Sequence, residues 1–251
     1  MLVLGIQGSP RRKSNTAFLL SSFMAEAAKM GAATHTIEVC RHNIEPCKEI
    51  TVCERKGFCP IKDDMDPLVY PLLRRADIVV TATPIFFYNT PAQLKALIDR
   101  SQTLWARSYR LKLTDPGRRW RRGFLLALGA TRGQNLFEGL DLTMKYFYDA
   151  VGASYEGSLT YRRIENPGDM AKHPTVLQDV KTEAGKLLGP LLGRRKVLFA
   201  CKENACRSQM ASAYAQYLAG DKLDVLSAGS APGEAINPMI EEVMQEKGID
   251  M

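Results

Sequence analysis

No run of about 18 apolar residues occurs in this chain, so no transmembrane helix is expected. A signal-peptide layout is missing as well, because Arg11, Arg12 and Lys13 break the apolar start too early. Both absences point to the cytoplasm, where the six cysteines are expected as thiols, ligands or nucleophiles rather than structural disulfides. An acidic excess is lacking too: 34 Lys and Arg face 27 Asp and Glu, and the net charge of +7 favours anionic partners. The basic residues are dispersed apart from Arg118-Arg119-Trp120-Arg121-Arg122, so small phosphates and oxyanions are favoured over nucleic acid. That cluster is read as a solvated loop rim before a strand at Gly123, with a nucleic-acid or membrane-surface patch as the alternative. The first loop carries neither the dinucleotide glycine pattern nor the Gly-Lys-Ser/Thr ending of nucleoside-triphosphate loops.

What is present is an ordinary globular composition, 45% apolar and 24% charged, over 251 residues, enough for one large domain or one and a fraction. The organising stretch is Val3 to Thr16. A short apolar run reads as a buried parallel strand, breaks at Gly8 into a loop with Ser9, Arg11, Lys13, Ser14 and Thr16, and passes at once into a helical pattern. Unpaired amides, hydroxyls and a guanidinium at the positive end of a helix suit a phosphate monoester; an ordinary polar turn is the alternative. Ala17, Leu20, Phe23, Met24 and Ala27 then mark one helix face up to Gly31. Strands are expected over 34–39, 76–83, 123–129 and 154–161, and helices over 91–101, 135–151 and 175–188. Strands that are mostly apolar throughout and alternate with helices imply a parallel sheet covered on both faces. Such sheets bind ligands beyond the carboxyl ends of their strands.

Gly8-Ser9-Pro10-Arg11 followed by Ser14-Asn15-Thr16 resembles the phosphate loop of the NAD(P)H-dependent FMN reductase family, which includes the iron–sulfur flavoproteins. The resemblance implies that Ser9, Arg11, Ser14, Asn15 and Thr16 hold the FMN phosphate. A second matching stretch is Pro84-Ile85-Phe86-Phe87-Tyr88, followed by Gln93-Leu94-Lys95 and Asp99-Arg100. Three consecutive aromatics by themselves read first as core packing, with a wall for a flat ring as the alternative. The resemblance makes Pro84, Ile85, Phe86 and Phe87 contacts of the flavin ring. Gly129-Ala130-Thr131-Arg132-Gly133 is similar to the third loop, with Gly129 and Arg132 at the flavin rim. Together these imply a flavodoxin-like, doubly wound, five-stranded parallel sheet over residues 1–190, a soluble α/β flavoprotein. FMN would accept hydride from NADH or NADPH and pass electrons to a flavin, quinone, metal ion or other small-molecule acceptor. The cofactor carries that chemistry, so no acid–base residue is named. The family further implies a homodimer or homotetramer, and the Arg118–Arg122 cluster gains a third use, gripping the extra phosphate of NADPH.

Between the second and third strands stand Cys47, Cys53 and Cys59, with Cys40 and His42 nearby. The iron–sulfur flavoproteins carry four cysteines in a compact motif here, and Ile50 occupies the position that would complete the quartet. Free thiols and no metal are expected, with a [4Fe–4S] cluster or a zinc site completed by Cys40 or His42 as alternatives. Gly57 to Met65 resembles the cluster-free relatives, where the segment serves as lid and dimer contact.

Gly189 to Arg195 shifts to Gly, Pro and Arg and is read as a linker. A new apolar strand, 196–200, then ends in Cys201-Lys202-Glu203-Asn204-Ala205-Cys206-Arg207-Ser208 before a helix over 209–218. A cysteine, five residues and an arginine between strand and helix form an oxyanion loop with a nucleophile in it. Loop amides and the helix end depress the Cys201 pKa, Arg207 offers a bidentate fork, and Ser208 donates to the thiolate. The tail resembles the low-molecular-weight tyrosine phosphatases and thioredoxin-coupled arsenate reductases. Ser227-Ala228-Gly229 and Gly248-Ile249-Asp250 lean toward the latter. In both families Cys201 would be the nucleophile and Arg207 the ligand of phosphate or arsenate. The resemblance ends at Met251, before the general-acid aspartate of the one family and the relay cysteines of the other. Residues 195–251 are therefore expected as an incomplete second α/β segment, cut from a longer fusion or packed on the first domain or another chain, without efficient turnover. Cys206 pairing with Cys201 would be an oxidised off-state. Two rival functions stay open: a thiol-based arsenate reductase or phosphatase with an accessory flavin domain, and a non-enzymatic FMN electron carrier or redox sensor.

Overall fold

The computed structural model describes residues 1–251. In chain order the elements are β1 (Leu2–Gln7), α1 (Asn15–Lys29), β2 (Ala33–Glu38), α2 (Val52–Lys56), α3 (Tyr70–Arg75), β3 (Ile78–Pro84), α4 (Ala92–Arg100) and α5 (Gln102–Tyr109). There follow β4 (Arg122–Gly129), α6 (Glu138–Ala150), β5 (Ser154–Arg162), α7 (Val176–Leu192), β6 (Arg195–Cys201), α8 (Arg207–Ala219), β7 (Leu223–Gly229) and α9 (Pro238–Glu246). Five parallel strands lie in the order β2-β1-β3-β4-β5, and β6 and β7 form a separate parallel pair. The expected flavodoxin-like sheet is present.

The apolar runs fill both faces of that sheet. Val3, Ile78, Val80, Phe124 and Leu126 point to one side, under Leu19, Leu20 and Phe23 of α1 and Val180, Leu187 and Leu188 of α7. Leu4, Ile6, Val79 and Leu125 point to the other, under Leu97 of α4 and Met144, Phe147 and Tyr148 of α6. Each fully buried large aliphatic or aromatic side chain contributes about 1.5–3 kcal/mol. The excursion between β2 and β3 is pinned by one buried ion pair. Arg100 donates to Asp63 at 2.6 Å and to the carbonyl of Glu45 at 3.0 Å. Burial would raise the Asp63 carboxyl, but the guanidinium and the amides of Glu45 and Met65 reverse this and hold it below its ordinary range.

The arginine cluster departs from its sequence reading. Arg121 is buried, donating to the carbonyls of Arg74, Ala76 and Val151 and to Asp115. Arg118 pairs with Asp149 at 2.9 Å, and Arg119 stacks over Trp120. Arg121 is thus withdrawn from any rim or basic patch, because main-chain carbonyls at the base of the sheet consume most of its donors, while Arg119 stays exposed. The Gly189–Arg195 linker is also absent. Helix α7 continues through Gly189 and Pro190 to Leu192, and β6 begins at Arg195.

The tail unit docks on the amino ends of β1 and β3, opposite the edge where ligands are expected. Buried Arg194 bridges Asp77 at 2.8 Å, Asp224 at 3.8 Å and the carbonyl of Gly220 at 3.0 Å. The N-terminal ammonium reaches Asp224 at 2.9 Å, and the indole of Trp120 donates to Gln216. A side chain on Gly220 would collide with that indole. Thr114 exchanges backbone hydrogen bonds with Gly248 and Asp250, whose carboxylate is gripped by Arg107 and Arg74. Truncating Arg194 removes a buried guanidinium from the junction and leaves the part-buried Asp77 carboxylate with the Leu2 amide as its remaining partner. The loss is expected below the roughly 3–5 kcal/mol typical of breaking a fully buried pair. Arg194→Ala is therefore expected to lower the denaturant midpoint and to expose the 193–195 junction to protease. Lys145→Ala, on the exposed side of α6, is the control and should do neither.

Candidate functional site

Three loops share one edge because β1, β3 and β4 are neighbours in the sheet. The first is tied down by the Gly8 amide, which donates to the Ala82 carbonyl at 2.8 Å. Glycine is required there, since a Cβ would lie 2.5 Å from Leu94. Buried Gln7 orders the loop, accepting from the Ser9 amide at 3.0 Å and donating to the Ser14 hydroxyl at 3.3 Å. Ser9 Oγ accepts from the Arg11 amide, and Ser14 Oγ caps α1 by accepting from the Ala17 amide. Both hydroxyls keep their own hydrogen for a further acceptor. The amides of Asn15 and Thr16 open the first helical turn, where no helical carbonyl can satisfy them. Arg11, Arg12 and Lys13 stand exposed around this point, and none has a carboxylate partner. The Asn15 side chain turns elsewhere: its amide nitrogen donates to Asn166, and its oxygen accepts from Gly168 and Met170. It clips the segment after β5 onto the start of α1.

The second loop leaves β3 with the Ile85 amide bonded to Leu128 of β4 at 2.9 Å. Phe86 and Asn89 exchange both backbone hydrogen bonds, closing a two-residue turn over Phe87 and Tyr88 at φ +48° and +61°. That geometry normally selects Asn-Gly, so bulky residues there store strain of about 1–3 kcal/mol each. Phe87 is fully exposed and Phe86 and Tyr88 half-exposed, so the aromatics are not core. Thr90 Oγ1, at the loop's far end, is buried without a partner. The third loop starts at Gly129, which has no room for a side chain beneath Leu136. Gly133 accepts from Arg162 and lies against the Tyr88 hydroxyl, so the second and third loops touch. Arg132 is exposed beside them. Sequence reasoning missed Gln7 and Thr90; a polar residue closing an otherwise apolar strand was the one available sign for Gln7.

Cys201 ends β6 in a second loop. Its sulfur lies 3.0 Å from Ser208 Oγ and accepts from the Asn204 amide at 3.2 Å, while Ser208 Oγ also lies 2.9 Å from Asn204 Oδ1. Asn204 is left-handed at φ +50°, and Gly229 permits the close approach, since a Cβ there would meet the Lys202 carbonyl at 2.7 Å. The Ser208 hydroxyl, then the Ser208, Asn204 and Glu203 amides, bring the Cys201 thiol down to about 7. Arg207 is exposed, in the first turn of α8.

The fold and its edge loops define an α/β protein of the flavodoxin-like type with a second, phosphatase-like α/β unit. A family model for NADPH-dependent FMN reductase matches residues 1–155, and one for low molecular weight phosphotyrosine protein phosphatase matches residues 196–251. The chain belongs to the NADPH-dependent FMN reductase family. It is 38% identical to an iron–sulfur flavoprotein of Methanosarcina thermophila over 112 residues, covering 45% of this chain and 58% of that protein. The tail is 42% identical to a glutaredoxin arsenate reductase of Synechocystis over 57 residues, 23% of this chain and 43% of that protein. Among solved structures, an NAD(P)H:quinone oxidoreductase from Methanothermobacter marburgensis superposes with a TM-score of 0.59 at 20% identity, over 74% of this chain and 96% of that one. The chain spans about half the length of the first curated iron–sulfur flavoproteins it matches. No helix is long and apolar enough to cross a membrane.

The two implied prosthetic groups fare differently. An anionic flavin phosphate suits the unpaired cations, free hydroxyl hydrogens and first-turn amides of the first loop. A cubane cluster does not suit the excursion, which offers Cys47, Cys53 and Cys59 against a requirement for four ligands. Ile50 is in the fourth place, and His42 faces Asp64 at 3.2 Å. At the other loop, alkylation of Cys201 should rise with pH through about 7. Ser208→Ala removes the largest cause of that depression, so its profile is expected to move toward the ordinary thiol value of about 8.5. An unchanged midpoint in a rate–pH titration would refute this assignment.

Proposed function

We propose that residues 1–190 bind FMN at the edge loops and oxidise NADH or NADPH at the expense of a small acceptor. The observation that carries this is the cationic, unneutralised first loop set level with the other two at one sheet edge. Ser9, Ser14 and the Asn15 and Thr16 amides hold the phosphate, and Arg11 neutralises it. Asn15 acts as a positioning residue through its clip on 166–170. Pro84, Ile85 and the Phe86–Phe87 turn flank the ring, and Gly129 and Arg132 close its rim. FMN, when bound, supplies hydride acceptance and onward electron transfer. The chain's part is to hold and orient it and to leave one face open to the nicotinamide. Exposed Phe86, Phe87, Tyr88, Leu142 and Tyr146 form the face through which two copies pair.

A second reading concerns the tail. Cys201 as a thiolate nucleophile with Arg207 as fork makes the loop a site for phosphate or arsenate. It stands apart from the first site: the tail docks at the base of a sheet whose strands put about 20 Å between base and loops.

Purified protein is expected to retain FMN, and Ser9→Ala with Arg11→Ala to weaken it at least tenfold, given about 1.5–3 kcal/mol per charge-assisted hydrogen bond. Flavin fluorescence titration measures this; equal affinity in the double variant would refute the phosphate assignment. Phe87→Ser should shift the protein toward monomer in sedimentation, since it removes the most exposed aromatic of the pairing face.

A further inference from the structure

The carbonyls of the Cys201 loop are tied down one after another. Those of Cys201, Lys202, Glu203 and Ala205 accept from the amides of Ser230, Ala231, Gly233 and Asn237 at 2.8–3.2 Å. That of Cys206 accepts from the Met210 amide of α8 at 3.0 Å. Asn204 is the exception. Its carbonyl accepts from a side chain, Gln209 Nε2, at 3.0 Å.

In a planar trans peptide the carbonyl of one residue and the amide of the next point in opposite directions. Carbonyls tied outward therefore turn the loop amides inward. The Asn204 amide, behind the Glu203 carbonyl, accordingly reaches Cys201 Sγ at 3.2 Å. The Ala205 amide, behind the Asn204 carbonyl, makes no hydrogen bond within the chain and is free for an anion in the loop. Gln209 sets its direction. Asn204 itself is left-handed at φ +50°, a conformation that a residue with a side chain leaves readily. Two side chains hold it there, Ser208 Oγ on its Oδ1 at 2.9 Å and Gln209 on its carbonyl. Gln209 has little other work. It lines a cavity of about 750 Å³ between the two units, while α8 packs against α9 through Met210, Tyr214 and Tyr217. Replacing Gln209 thus removes a hydrogen bond rather than core packing.

We propose that Gln209 is a positioning residue of the Cys201 loop. By holding the Asn204 carbonyl outward it turns the Ala205 amide onto the oxyanion and keeps the Asn204 amide on the sulfur. This rests on the tail's second reading, in which the loop is a site for phosphate or arsenate. Inorganic phosphate is the probe, read as protection of Cys201 from alkylation in the full chain, with the modified residue identified by peptide mass. Two substitutions of similar size withdraw the donor: Gln209→Met, and Gln209→Glu, which also sets a carboxylate against the carbonyl. Each is expected to weaken protection about tenfold, the worth of one hydrogen bond to a charged group. Each should also move the midpoint of Cys201 alkylation against pH upward, because the Asn204 amide is no longer held on the sulfur. Gln216→Met, farther along the same cavity wall, is the control and should do neither. Circular dichroism like that of the unaltered chain establishes folding, and Gln209→Met carries the test if the carboxylate prevents it. Protection and midpoint unchanged in Gln209→Met would overturn the role of Gln209, and an effect confined to Gln209→Glu, being one of charge, would do the same. An unaltered chain that phosphate does not protect would instead overturn the oxyanion reading beneath it.

Discussion

The hydrogen bond from the Gly8 amide to the Ala82 carbonyl fixes where the first loop leaves the sheet, and the site at that edge depends on it. It holds only because position 8 has no side chain to press on Leu94. With β1 and β3 locked in register, and Ile85 bonded across to Leu128, the loops after β1, β3 and β4 emerge at one level. A phosphate group and a flat ring can then be gripped together without any loop reaching far. Strain at Phe87 and Tyr88 is tolerated on the same account, since both ends of their turn are anchored.

The opposite end of the sheet is organised by buried arginines. Arg121 and Arg194 satisfy main-chain carbonyls and neighbouring carboxylates at the base, and Arg107 joins the excursion to the tail. A planar fork with fixed donors suits such junctions, where several carbonyls converge from different segments. Part of the basic excess is thereby internal. Arg11, Lys13, Arg132 and Arg207, by contrast, remain exposed at the two candidate anion loops.

Much of the sheet was legible in the sequence because its strands are apolar throughout and its helices carry one apolar stripe. Ala17 is the exception on α1: Leu19 is buried in its place. Helices α2, α3 and α5 went unread, being short and lacking caps that announce them. Residues with two plausible uses were read less well. Asn15 stands where a phosphate ligand would, yet its amide is committed to a segment some 150 positions away, a pairing no local pattern reveals. The Gly-Pro pair before the tail signals a break, yet α7 runs through it, since Pro190 near a helix end forfeits little hydrogen bonding and Leu187, Leu188 and Leu191 bury themselves on the sheet.

The sequence by itself determined the parallel sheet, the polar loop after its first strand and the strand-loop-helix around Cys201, because each follows from patterns a dozen residues long. Tertiary structure decided the rest: which loops become neighbours, that Arg121 of the arginine cluster is consumed at the base, that the aromatic corner faces outward, and that the tail sits at the end of the sheet away from the loops. Those outcomes turn on strand order and on carbonyls and carboxylates supplied from distant segments, and a linear pattern carries no record of either.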